Sequence, residues 1–326
     1  MRRSMAVSFA PLVLVAATVR AQSSPVLERV QARGAVRCGS VERPGLTGRD
    51  GNGGWSGLEV DVCRAVAAAV LGSPDRIVYS SYETPRQFDA VRENRDDLVF
   101  LTGSEIHEQS LEGRLLPGPT VFVESHAVMV PAASAAHHLA DLAGVSVCYM
   151  IGSSTERSLS NALERTPRPW VRRPFSEVGE MRDTYDAQSC HAIAAELTDL
   201  ASYRLEGGVN RLESRILPER ATLFPIVAAT GRADARWSAV VSWVVATLIG
   251  SERPETRWYA GGAGAMPLAA ADPVLPPDWQ SRVLAAVGSY GDIFDRNLGK
   301  GSRLGLERGP NANQADGGIL LSPFLD

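Results

Sequence analysis

Strand and helix alternate twice along this chain, and an extended β-rich run separates the two series. The first series reads AVRCGS, LEVDVCRAVAAAVLG, RIVYSSY, TPRQFDAVREN and DDLVFLT, in the order strand, helix, strand, helix, strand. Apolar residues at Val62, Val66, Ala69 and Val70 stripe the first of these helices, and Gly72 stops it. Thr84 and Pro85 mark the start of the second helix. VFVESHAVMV follows, long enough to cross between two units. The second series contains the strands VSVCYMIG, WVRRPF and CHAIAAE with helices between them. ATLFPIVAATG is a second β-rich run, after which ARWSAVVSWVVATLIGSE and PDWQSRVLAAVGSYGDIFDRNLG read as helical and a glycine-rich tail reads as weakly structured. Such alternation predicts an α/β fold with parallel sheet covered on both faces. Two α/β lobes joined by two crossings predict a hinged clamp that closes on a small molecule. One lobe is expected to hold residues 22–126 and 225–326, including a C-terminal helical extension, and the other residues 127–224.

The N-terminus predicts export. Arg2 and Arg3 precede an apolar stretch from Met5 to Val19, and Val19-Arg20-Ala21 offers a cleavage site. Residues 1–21 therefore read as a signal peptide, and the mature protein as periplasmic. In an oxidising compartment four cysteines predict two disulfides. Proximity in sequence favours Cys38 with Cys63 and Cys148 with Cys190. The net charge of −4 provides no basic field for nucleic acid or anionic lipid.

LTGSEIHEQS, Leu101 to Ser110, gathers hydroxyls, two glutamates and a histidine just after a strand. Glu105, His107 and Glu108 lack the spacing of a metal site, and no metal or cofactor is expected. Ser153 and Ser154 lack the elbow of a nucleophilic serine. The chain is thus not expected to be an enzyme. An acid or base at Glu105, His107 or Glu196 leaves a cleft enzyme such as a dehydratase as a lesser alternative.

GLEVDVCRAVAAAV, Gly57 to Val70, resembles the family 3 solute-binding proteins of polar-amino-acid ABC transporters. SVCYMIGSSTE, AVGSYGDIFDRNLGKGS and GPNANQADGGILLSPF look like the general L-amino-acid-binding periplasmic subfamily. The resemblance spans nearly all of the mature chain and is thin at residues 98–125 and 205–280. It implies a periplasmic-binding-protein type II fold, a monomer that binds an amino acid in its cleft, and delivery to an ABC permease in the inner membrane.

An amino acid needs donors for its carboxylate and acceptors for its ammonium. Gly152, Ser153, Ser154 and Thr155 lie between a strand and a helix, where backbone N–H groups and hydroxyls suit a carboxylate. The resemblance puts Thr102 and Ser104 on ligand-binding hydroxyl positions of a binding loop. It also puts Gln109 where relatives carry a carboxylate-clamping arginine, and glutamine brings neither charge nor bidentate fork. Glu196 stands where relatives place an aspartate facing the ligand ammonium, with Asp199 in reserve. Leu46 stands where an aromatic often covers the ligand. These departures keep a second reading open: a divergent paralogue acting as a sensor, or one that binds a non-standard solute.

Overall fold

A computed structural model describes residues 23–83, 87–164, 168–206, 212–252 and 275–322. The leader, Thr84 and Pro85 lie outside these residues. In the first part of the chain come α1 (Pro25–Arg33), β1 (Val36–Ser40), the short β2 (Gly48–Arg49) and β3 (Trp55–Ser56), α2 (Leu58–Leu71), β4 (Ile77–Ser81), α3 (Gln87–Arg92), β5 (Leu98–Thr102), α4 (Gly103–Leu111) and β6 (Leu115–Leu116). The long strand β7 (Thr120–Pro131) leads into β8 (Ser146–Met150), α5 (Ser154–Leu163), β9 (Val171–Phe175), α6 (Val178–Asp186), β10 (Ala192–Glu196), α7 (Leu197–Leu205) and β11 (Ser214–Ile216). The chain returns along β12 (Thr222–Gly231) and ends in α8 (Ala235–Gly250), α9 (Trp279–Val287) and α10 (Tyr290–Asn297).

Ten strands form one sheet in the order β4-β1-β5-β12-β7-β10-β8-β9, with β11 on β7 and β6 on β12. Within each half the outer strands are parallel, as the alternation predicts. The sheet as a whole is mixed, because β7 and β12 run in opposite directions and pair antiparallel with each other and with β10 and β5. Hence both lobes share a continuous sheet, and the two long strands carry it across.

The first half packs around α2, which is buried along nearly its whole length between the sheet and the C-terminal helices. Gly57 permits its start. The backbone there has φ 127°, and a Cβ would lie 2.1 Å from the Leu46 carbonyl oxygen. That close approach lets Glu59 donate its N–H to the same carbonyl at 3.0 Å. The two acids of the LEVD stretch tie the helix in place. Asp61 accepts from Arg64, Arg296 and Asn297, each at 2.8 Å, and so joins α2 to α10. Glu59, wholly buried, accepts from the Thr47 hydroxyl at 2.6 Å. In the second half the period of a strand separates two cores. Val128 and Val130 face one, with Tyr149 and Trp170; Ala127 and Met129 face the other, with Tyr185 and Tyr203.

Both disulfides join the cysteines that proximity favoured: Cys38 to Cys63, linking β1 to α2, and Cys148 to Cys190, linking β8 to the start of the β10 segment. Two expectations need correction. The run predicted as helix near the C-terminus is two helices, broken at Gly288, with Ser289 and Asp292 capping α10 reciprocally. The tail is not weakly structured. It forms short 3-10 turns at Gly309–Asn311 and Gln314–Asp316, and Asn311 is buried against the crossing. The Asn311 side chain accepts from the Val123 N–H at 2.7 Å and donates to the Val123 carbonyl at 2.9 Å. It thereby pairs β7 as a neighbouring strand would. No helix among the described residues is long and apolar enough to cross a membrane.

Candidate functional site

The carboxyl ends of parallel strands from both halves meet at the crossing. Thr102 ends β5 and is registered with Ile226 of β12; Glu196 ends β10 and is registered with His126 of β7. A crevice at such ends, where strand order changes, is the usual ligand position in α/β sheets. Arg43, from the loop after β1, reaches into it, with Nε 4.0 Å from a Glu196 oxygen. Burial alone would lower the Arg43 pKa, but the carboxylates of Glu59, Glu196, Glu105 and Glu124 more than offset it. These four acids come from four different elements. Arg43 Nη1 is buried and meets no hydrogen-bond acceptor.

Acid outnumbers base here. Burial raises the pKa of Glu59, Glu196 and Asp199 above the ordinary carboxylate range. Glu124, in the middle of β7, is pushed up to about 8, first by burial and then by the neighbouring Glu196. It accepts from the Ser125 N–H at 2.7 Å and from the Thr198 hydroxyl at 2.6 Å. Two residues further along, His126 is lowered to about 4 by burial and by Arg157. Its neutral ring meets the Ser154 hydroxyl at 3.0 Å on Nε2 and the Ser158 hydroxyl at 2.7 Å on Nδ1. Phe224 covers it with ring centres 4.7 Å apart.

The residues expected from sequence fall in three groups. Glu196 and Asp199 line a pocket of about 190 Å³ together with Ser153, Ser154, Thr155 and Tyr203. Ser153 caps α5, its hydroxyl accepting from the Glu156 N–H at 3.2 Å, while the Gly152 N–H donates to the Glu156 side chain at 2.7 Å. Thr102, Ser104 and Gln109 occupy the opposite half, but LTGSEIHEQS is not a loop. It is the end of β5 and all of α4 but its last residue, Leu111. The order Thr-Gly-Ser-Glu places Glu105 three residues after Thr102, where a glutamate reaches back to the helix start. Its carboxylate accepts from the Thr102 N–H at 2.7 Å, the Thr102 hydroxyl at 2.9 Å and the Gln87 amide at 3.1 Å. Ser104 is exposed and lies 3.2 Å from the Thr102 hydroxyl. Gln109 sits one helical turn beyond Glu105, buried. Leu46 is wholly buried in the core of the first half and offers a ligand no surface; the turn that carries it packs its carbonyl against Gly57.

Sequence reading missed Arg43, Glu124 and His126. A signal was present for two of them: Glu-Ser-His interrupts the apolar run VFVESHAVMV, and polar residues inside a buried strand need a reason to be there. Arg43 stands in a loop rich in Gly and Pro and carried no such mark. His107 is exposed. Among the described residues no three metal-ligating side chains come together.

No protein-family model matches the chain. It is similar to the general L-amino acid-binding periplasmic protein of Rhizobium johnstonii, 29% identical over 95% of each chain. It is 28% identical, over 97% of each chain, to a glutamate/glutamine/aspartate/asparagine-binding protein of Rhodobacter capsulatus. A periplasmic binding protein from Brucella ovis, solved with glutathione bound, superposes with a TM-score of 0.74 at 26% identity, covering 91% of this chain and 98% of its own. In sequence, over nearly its whole length, the chain is similar to periplasmic amino-acid-binding proteins, and it shares the two-lobed type II architecture of such binding proteins.

Proposed function

We propose that the chain is the solute-binding component of an ABC importer. It is exported by a leader at residues 1–21 and works as a monomer in the periplasm. Residues 22–126 with 225–326 close against residues 127–224 on a small polar solute, which is then handed to an inner-membrane permease. The observation that carries this reading is the approach of Arg43, from the first half, to Glu196, from the second, at 4.0 Å where the two long strands cross, with Glu105 and Glu124 acting on the same guanidinium. The pocket of the second half is lined by Glu196, and Arg43 of the first half reaches that carboxylate, so a solute held beside the pair touches both halves. Glu196 and Asp199 are the acceptors, and Ser153, Ser154 and Thr155 line the pocket beside them. Binding energy from both sides stabilises the closed form by mass action.

Titration of the purified protein with the standard amino acids, small amines and glutathione, followed by thermal shift and small-angle scattering, tests this. At least one solute should raise Tm by several degrees at about 100 times its Kd and reduce the radius of gyration. A flat response to every solute would sink the reading. Glu196→Ala should weaken binding of that solute tenfold or more, since it removes an acceptor that faces the pocket from β10. An unchanged Kd would move the ligand away from this pocket.

A further inference from the structure

The cleft's first-half wall already holds a carboxylate of its own. Three donors converge on Glu105: the Thr102 N–H, the Thr102 hydroxyl and the Gln87 amide. A bound carboxylate seeking those donors would have to displace Glu105 or lie against it. Two carboxylates that close repel each other. The cation at the crossing is Arg43, whose Nη1 has no acceptor, but acids already face it. Glu59, Glu124 and Glu196 all act on Arg43 together with Glu105. Arg182, at the pocket of the other half, is engaged by Glu206 at 3.0 Å. Gln109 contributes no cation at all.

A separate observation points the same way. The side-chain oxygens of Gln87 and Gln109 are both buried and both lack a donor. Gln87 is the residue that donates to Glu105, and Gln109 lies four residues after Glu105, on the same helical face. Glu105 is therefore flanked by two acceptors that call for N–H groups. Buried acceptors of this kind are costly until something supplies the donor.

Building on the reading above, we propose that this cleft selects an N–H-rich cation without a carboxylate, such as a diamine, a polyamine or an alkylguanidine, and that Glu105 is the specificity-determining residue. Glu105 fills the place a solute carboxylate would take and adds its charge to the acids that attract the ammonium. The same geometry predicts how Gln109→Arg behaves. An arginine four residues after Glu105 pairs with Glu105 itself. The single variant should gain nothing for amino acids, whereas the double variant Glu105→Ser with Gln109→Arg should gain affinity for them.

Matched pairs that differ only in the carboxylate provide the test: agmatine against arginine, and cadaverine against lysine, by calorimetry at pH 7. In the native protein the decarboxylated member should bind at least tenfold tighter. Glu105→Ser should narrow that ratio to less than threefold or reverse it. Glu105 also caps α4, so a loss of stability alone would reflect only a structural role. Glu105→Gln keeps an acceptor for the cap while removing the charge, and it should shift the ratio in the same direction. Amino acids binding as tightly as their amines, or a ratio unmoved by either variant, would overturn the proposal and leave the solute-binding reading intact. So would tight binding of another solute when neither member of a pair binds. Binding of no solute whatever defeats both.

Discussion

Asn311→Ala should lower the stability of this protein by about 3 kcal/mol, because it strips both backbone groups of Val123 of their partner at once. Val123 is buried in β7 where that strand crosses between the halves. An orphaned buried N–H or carbonyl costs about 1–3 kcal/mol, and two are created. The hydroxyl of Tyr290, which reaches the Val121 carbonyl at 3.0 Å, stays in place and does not substitute. Chemical denaturation measures the loss directly. A change below about 0.5 kcal/mol would mean that water or a shifted tail restores the pairing. The Asn311 side chain fastens the tail to the crossing, and the Ser322 hydroxyl, which donates to the Ala246 carbonyl at 2.8 Å, fastens it to α8.

Stability should fall between pH 6.5 and pH 8, and Glu124→Gln should abolish most of that fall. The sign follows from the direction of each shift. Glu124 moves from its ordinary 4.5 up to about 8, so its contribution is complete below pH 4.5 and is lost as pH rises through 8. His126 moves from 6.5 down to about 4, so its contribution is complete above 6.5 and is lost as pH falls through 4. Between pH 4.5 and 6.5 the two slopes oppose each other. Above that window Glu124 titrates without the opposing histidine, at about 1.4 kcal/mol per pH unit. The raised Glu196 and Asp199 add to the same downward slope where they titrate. Denaturant titrations at the two pH values should show a loss of roughly 2 kcal/mol in the native protein and less than half of that in Glu124→Gln. Parallel losses in the two proteins would remove Glu124 as the cause.

Much of this architecture is legible in the residues, because strand and helix periods are local. The striped helix after Gly57, the strand at VSVCYMIG and the paired cysteines follow from patterns a few residues long. The mixed character of the sheet is not legible in that way. It depends on the direction in which VFVESHAVMV and ATLFPIVAATG traverse the molecule, which no local pattern encodes. The site divides along the same line. Glu196 and the Gly152–Thr155 turn sit at strand ends, where the alternation marks them. The burial of Leu46 was not legible, because it depends on a close approach to a glycine eleven residues later. Glu105 was visible as a residue but not as a role, since the capping pattern Thr-Gly-Ser-Glu lay inside what looked like a loop. Its hydrogen bonds turn a stretch that seemed to lack a cation into one that supplies its own anion.

The two disulfides each join cysteines that are consecutive in the chain, the partners standing 25 and 42 positions apart. An oxidase that links thiols in the order they emerge from a translocation channel would make both native bonds and neither the crossed nor the nested arrangement. Each half of the molecule can then be cross-linked before the other is present. For the exported chain proposed above, yield should not depend on a disulfide isomerase.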